Sequence, residues 1–416
     1  MFSLGSTFDL DLRKHLGSLG FQHQSNEPIS AYDVISFINE QPCNWKPRKI
    51  DKPIALYGAG SLGKMAKEYF DFLEIPIEFF VDRNAKAYQA DPFWEGVLIY
   101  NPEDVDAQVK SSILLIVCVV TCPLKPLVKK LLEDGWQDVE AFYDVTEAYR
   151  DKHPLSNGWS LKDNSNQYSV SKIIDVISNL YDETSIAHYL QFFISHKLRL
   201  EWSFQDGLII LKNRFFIPEI LQNLTNQESF VDIGAHYGEV FLNFLEITHH
   251  RFKSSYLIEP DTINFRILIQ TIENLDLEER NKVKIDQIIL GHHNRKCLFF
   301  EGLGYASQQS KLGTSYLPMV TLDSLDIVPS FLKIHVEGSE LSVLEGGKYV
   351  ICAYKPIIVL TCYHNEHGIY ELPIWLINNL PEYKIYWRLH SWHGTGAVIY
   401  CIPHERTDLP SFTYLS

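Results

Sequence analysis

A surplus of positive charge is missing. The chain has 37 Lys and Arg against 52 Asp and Glu, a formal net charge of −15. A nucleic-acid surface must displace counterions with basic side chains, so this balance argues against broad nucleic-acid binding. It argues equally against docking on an anionic membrane. Long apolar runs are missing too. The longest, ILLIVCVV at 113–120, is too short to cross a bilayer and suits a buried strand. The opening residues, MFSLGSTFDLDLRKH, have no basic segment followed by an apolar core, so no signal peptide is expected. Paired cysteines are missing as well: the seven are scattered, with no paired metal spacing, and Cys118 and Cys122 are separated by three residues. Reduced thiols in a cytoplasm are the simplest reading. No repeat of solenoid period is present.

What is present is an α/β chain. At 416 residues it is too long for one ordinary core, so two or three domains are expected. Residues 1–52 read as a helical lead-in, with SAYDVISFINE as one amphipathic helix. Residues 53–150 read as a small doubly wound domain. IALYGAGSLGKMAKEYF gives a strand, a GxGxxG turn (Gly58, Gly60, Gly63) and a helix. IEFFVD then ends in Asp82, where an acid beneath a ribose is expected. Nucleotide binding and a turn kept only for helix–strand packing are both compatible with this pattern. Residues 151–227 read as a connector: a polar loop, two helices with capping residues at Asp182 to Ser185 between them, and FFIPEIL as an anchoring segment. Residues 228–416 read as a second parallel sheet with helices on both faces.

This second sheet is organised around FVDIGAHYG at 230–238. An apolar strand reaches Asp232, and Gly234 and Gly238 bracket a turn into a helix, the arrangement that brings a cofactor against a helix N-terminus. The next strand, SYLIEP, ends in Glu259, where a ribose is held through its hydroxyls. VKIDQIIL at 283–290 reads as the third strand, KCLFF and SYLPMVTL as an inserted pair, and FLKIHV, PIIVLTCY, YKIYWRLH and AVIYCIP as strands four to seven. Ligands bind beyond the carboxyl ends of such strands. Asp232, Glu259, Asp286, His335, Glu337 and His364 all fall at or near those ends. Lys333, His335 and Glu337 alternate along one strand, so all three share one side.

VTLDSL at 320–325, followed by FLKIHVEGSELSVLEGG at 331–347, resembles the signature of the FkbM-type methyltransferase family. That signature runs as a threonine-leucine-aspartate strand end, then Leu-Lys-Ile-Asp-Val-Glu-Gly, a Glu two residues on, and Val-Leu-x-Gly. The resemblance covers roughly residues 228–403. His335 stands where the family has Asp. The resemblance implies a class I methyltransferase sheet, S-adenosylmethionine as cofactor, and methyl transfer to a hydroxyl of a sugar or secondary metabolite. Asp232, Gly234, Ala235, Gly238 and Glu259 would then form the cofactor site, with Gly234 and Gly238 at the methionine end and Asp232 ordering that loop or contacting the amino group. Asp286 reads as an adenine contact or as a solvated strand-end carboxylate. His335 reads as a general base or as a packed histidine beside Glu337, and Glu337 as a site or loop-organising residue. His364 is a second candidate base and His390 a third. The pairs His364/His367 and His390/His393 are weaker than a metal-binding HExxH motif, and no metal is expected. The run from Gly58 to Asp82 resembles nucleotide-binding domains of sugar-modifying enzymes, which points the acceptor toward a sugar. The rival reading is a non-catalytic or regulatory protein that binds a nucleotide at Gly58, Gly60, Gly63 and Asp82. An NAD-dependent oxidoreductase is weaker, for want of hydride chemistry near that turn. A homo-oligomer is compatible with the sequence.

Overall fold

The structure is a computed structural model and describes residues 6–22, 29–88, 90–155, 157 and 168–407. The polar loop read at the start of the connector lies mostly outside the described residues, as do the first five residues.

Five short apolar segments build the first sheet: β1 (Ile54–Tyr57), β2 (Ile77–Val81), β3 (Ile99–Tyr100), β4 (Leu114–Val117) and β5 (Asp138–Ala141). All pair in parallel, in the order β3-β2-β1-β4-β5. β1 and β4 are buried throughout, as a sheet with helices on both faces requires.

The second half carries a seven-stranded sheet. Its strands are β6 (Ser229–Ile233), β7 (Ser254–Ile258), β8 (Val283–Asp286), then β13 (Phe331–Ile334), β14 (Ile357–Thr361), β15 (Tyr383–Leu389) and β16 (Ala397–Pro403). The order is β15-β16-β14-β13-β6-β7-β8, and β16 runs antiparallel to both neighbours. This is the class I methyltransferase sheet expected from the sequence. Between β8 and β13 the chain makes a smaller sheet from β9 (Ile289–Leu290), β10 (Arg295–Phe300), β11 (Gln308–Gln309) and β12 (Ser315–Val320). One expectation is corrected here. VKIDQIIL is not a single strand: Gln287 bonds the Pro260 carbonyl and the Thr262 hydroxyl, the chain turns, and Ile289–Leu290 joins β12 in the smaller sheet.

The helices Val170–Asn179 and Glu183–Leu198 pack across the end of the large sheet. Asp182 caps the second helix by accepting the Ser185 N–H at 2.7 Å, as its residue type predicts. Tyr181 donates its N–H to Ile385 at 2.8 Å, so the connector covers the exposed edge of β15. Buried Arg388 ties the same elements together, at 2.7 Å from Asp182 and 2.6 Å from Glu219. The N-terminal helices, Ser6–Ser18 and Ala31–Glu40, join this core and not that of the first sheet. No helix among the described residues is long and apolar enough to cross a membrane.

Candidate active site

The glycine turn after β6 is tight by necessity. Gly234 has φ +82°, and a Cβ there would lie 1.9 Å from the His335 carbonyl oxygen. The Gly234 and Ala235 N–H groups both reach the Ile258 carbonyl, and Gly238, at φ +90°, starts the following helix. Asp232 does not face the cleft. It is fully buried and pairs with Lys333, its register partner on β13, at 2.7 Å. Lys333 also donates to the Gly234 carbonyl at 2.6 Å. Burial lifts the Asp232 carboxyl above its ordinary range against the pull of Lys333. This pair fixes the base of the turn.

Glu259 lies at the wall of a cleft beyond the ends of β6, β7 and β13. One of its oxygens accepts the His236 N–H at 2.8 Å and the other the Asp261 N–H at 2.9 Å. Burial raises its proton affinity and these N–H groups oppose that. His335 and Glu337 line the same cleft, whose empty space is about 610 Å³ counted out to solvent. The apolar wall is Ile288, Ile289, Leu290 and Phe299 from the turn and the smaller sheet. Tyr305 stacks on His236 at 3.9 Å between centroids and forms part of the rim. His236 Nε2 is buried and makes no hydrogen bond among the described residues.

At the far wall stand His335 and Glu337, with His364 buried behind them. The strand expected to carry His335 and Glu337 stops at Ile334, so strand alternation does not place them. Glu337 lies instead in a left-handed turn, φ +50°, followed by Gly338 at φ +100°. That turn sets Glu337 Oε1 2.9 Å from His335 Nε2 and 3.3 Å from His364 Nε2. His364 Nδ1 is 2.8 Å from Glu340 Oε1, which also accepts the Thr361 hydroxyl at 2.9 Å. Burial holds His335 neutral, its pKa lowered to about 4. Burial opposes the charged forms of Glu337 and His364 as well, raising the one pKa and lowering the other. Their mutual attraction, with Glu340, still keeps Glu337 well below the carboxylate range and His364 well above the usual histidine value.

The remaining candidates are placed elsewhere. Asp286 is not part of the cleft wall: its carboxylate is bonded to the Tyr256 hydroxyl and lies 3.1 Å from Lys284. That is the solvated strand-end arrangement. His390 is bonded at 2.7 Å to the Ile210 carbonyl and at 2.7 Å to the Tyr400 hydroxyl, and does not line the cleft. His367 pairs with Glu371, and His393 lies 3.6 Å from Glu201, so neither histidine pair forms a ligand set. In the first domain, Gly58, Gly60 and Asp82 line a second cleft with Arg83 and Thr121. Gly63 faces the turn, where a Cβ would meet the Gly58 carbonyl oxygen at 2.1 Å. Asp82 accepts the Ala59 and Asn84 N–H groups at 2.8 and 2.7 Å.

Several cleft residues escape sequence reasoning. Tyr305 sits in a short 3-10 helix of the inserted sheet, and Asn264 in the first turn of the helix Thr262–Glu273; neither belongs to a motif. Glu340 is the second Glu of the family signature, a signal present but without an assigned role.

Residues 232–382 match the family model of the methyltransferase FkbM domain. The methyltransferase FkbM from Methylobacillus flagellatus KT shares the fold at a TM-score of 0.61, with 16% identity, over 95% of this chain and 99% of that one. A precorrin-6y C5,15-methyltransferase from Geobacter metallireducens aligns at a TM-score of 0.28 and 11% identity, over 47% of this chain and 93% of its own. No curated protein matches the sequence.

Proposed function

We propose that this chain, an S-adenosylmethionine-dependent methyltransferase by its FkbM domain, methylates a hydroxyl oxygen of a sugar, a nucleotide sugar or a secondary metabolite. S-Adenosylmethionine brings a methyl carbon already activated by its sulfonium. The residues fit this cofactor. Gly234, which has no room for a side chain against the His335 carbonyl, lines the cleft with its bare backbone. Glu259 presents a buried carboxylate to the cleft, and His236 Nε2 has no partner there. Gly234, Ala235 and Gly238 would lie along the methionine end, and Glu259 would take the ribose hydroxyls. The wall of Ile288, Leu290 and Phe299 would cover the adenine.

The observation that carries the hydroxyl reading is the His335–Glu337 pair on the wall of the same cleft. A neutral hydroxyl must lose its proton as it attacks, whereas a thioether or free amine attacks through an existing lone pair. A neutral imidazole beside an ionised carboxylate can receive that proton. Placement within reach of the donor supplies the rest of the rate. The sugar reading is supported by the rim, where Tyr305 offers an aromatic face beside Ser307 and Gln309. The acidic surface supports a small-molecule acceptor over nucleic acid or membrane. The free cysteines support a cytoplasmic setting.

The test is transfer of a labelled methyl group to hydroxylated sugars, sugar nucleotides and phenolic metabolites, with amines and thiols in parallel. An O-methyl product identified by mass spectrometry and NMR is expected. Transfer only to nitrogen or sulfur by folded, cofactor-binding protein contradicts the hydroxyl reading.

A further inference from the structure

His335, Glu337 and His364 offer one ligand atom each, all within 4.8 Å of one another. Two ligands bound at about 2.1 Å to one ion, at octahedral to tetrahedral angles, lie about 3.0–3.5 Å apart. Glu337 Oε1 is 2.9 Å from one imidazole nitrogen and 3.3 Å from the other. Despite these distances neither His335 Nε2 nor His364 Nε2 makes a well-directed hydrogen bond, and both atoms are buried. Both ring nitrogens are buried beside Glu337 with no hydrogen-bond partner among the described residues.

The surroundings fit a ligand set. His364 is 6% exposed, and its other nitrogen, Nδ1, is held at 2.8 Å by Glu340. A carboxylate behind a histidine keeps the proton on Nδ1 when an ion displaces the one on Nε2, and makes it a better ligand. Glu340 is fixed in turn by the Thr361 hydroxyl and by the Gly338 N–H at 2.9 Å. The left-handed backbone at Glu337 is the strain that brings its carboxylate to the histidines. Arg214, stacked 5.0 Å from the Tyr363 ring centroid, places one positive charge nearby, and the Glu340 charge offsets it.

We infer that His335, Glu337 and His364 bind a divalent first-row transition ion, with Glu340 as the positioning residue behind His364. Two imidazoles and one carboxylate suit Zn²⁺, Fe²⁺ or Co²⁺ and leave open positions. Since His335 and Glu337 line the cleft, those positions face it. An acceptor hydroxyl bound to the ion would give up its proton to water more readily, with His335 then a ligand in place of the proton acceptor. Only this last consequence rests on the hydroxyl reading above. The ion site stands on the ligand geometry.

The experiment is titration of chelator-stripped full-length protein with Zn²⁺ by calorimetry and with Co²⁺ by visible absorption. One equivalent should bind, with d–d bands from Co²⁺. X-ray absorption of the Zn²⁺-loaded wild type should show nitrogen ligands from two imidazoles. His335→Ala and Glu337→Gln should each weaken binding by about 100-fold or more, and Glu340→Gln by about 10-fold. His367→Ala should not alter it. S-Adenosylmethionine binding, measured separately, reports whether each variant is folded and keeps failure here distinct from failure of the methyltransferase reading. No uptake by folded wild type, a site without imidazole ligands, or unchanged affinity in His335→Ala and Glu337→Gln overturns the proposal.

Discussion

The two glycine turns of this chain are built alike and serve different surroundings. After β1 and after β6, a backbone carbonyl occupies the place of a missing Cβ, at 2.1 Å for Gly63 and 1.9 Å for Gly234. At the end of the neighbouring strand, a carboxylate accepts an N–H of the turn at 2.8 Å in both, Asp82 from Ala59 and Glu259 from His236. The difference lies in what the adjoining strands add. Beside the first turn, β4 leads into Cys118, Val119 and Val120, with no acid or histidine. Beside the second, β13 leads into His335 and Glu337, and β14 into His364. The smaller sheet then closes that cleft with an apolar wall, and its Phe300, Leu303 and Ala306 pack into the core of the first domain. A strand–glycine–helix turn is therefore a holder, and the chemistry comes from its neighbours. The first domain also buttresses the wall of the second domain's cleft.

The largest expected effect comes from filling the two turns. Gly234→Ala forces a Cβ onto the His335 carbonyl in a left-handed backbone and should reduce S-adenosylmethionine affinity about 100-fold or more. Gly63→Ala should lower the melting temperature while leaving that affinity within about two-fold in the protein that stays folded. Calorimetry and thermal melts separate the two. Next is Arg388→Ala, which strands Asp182 and Glu219 at the edge of β15. A loss of about 3–5 kcal/mol is expected, read as a large drop in melting temperature. Lys64→Ala, which removes a half-exposed pair with Asp91, should shift it little.

Acid should distinguish the regions further. Burial lowers the pKa of His188, His390 and His393 to about 4, and of His196 to about 3. His153, in the core of the first domain, is lowered to about 4. The unfolded chain takes up these protons from about pH 6.5 and the folded chain only near those lower values. Stability is therefore intact above pH 6.5 and falls as pH drops toward 4. With four such histidines around the connector and one in the first domain, hydrogen exchange at pH 5 should open 183–198 and 383–403 before 54–57 and 114–117. His188→Gln should flatten the pH dependence by up to roughly 3 kcal/mol. The smallest effect is expected from Asp286→Asn. Its carboxylate serves Tyr256 and Lys284, so affinity for S-adenosylmethionine should change by less than about two-fold.

Much of the fold is legible because each strand is a short apolar run ended by a glycine, an acid or a turn. Glu259 could be read from its place after the second strand, and Gly234 from the turn it must make. Partners across strands are harder to read. Asp232 meets Lys333 only because β6 and β13 are neighbours in register, although 101 residues separate them in the chain. His364 reaches Glu337 through the adjacency of β13 and β14. The break in the third strand escapes reading because Ile288, Ile289 and Leu290 are as strand-like as the residues before them. Only the turn at Gln287 redirects them over the cleft.

The most direct test of the central claim is the stoichiometry and location of S-adenosylmethionine binding. Calorimetric titration of wild type, Glu259→Ala and Asp82→Ala measures both. One cofactor per chain is predicted, with binding lost in Glu259→Ala and retained in Asp82→Ala. Binding that survives in Glu259→Ala and disappears in Asp82→Ala would place the cofactor at the first turn and contradict the account.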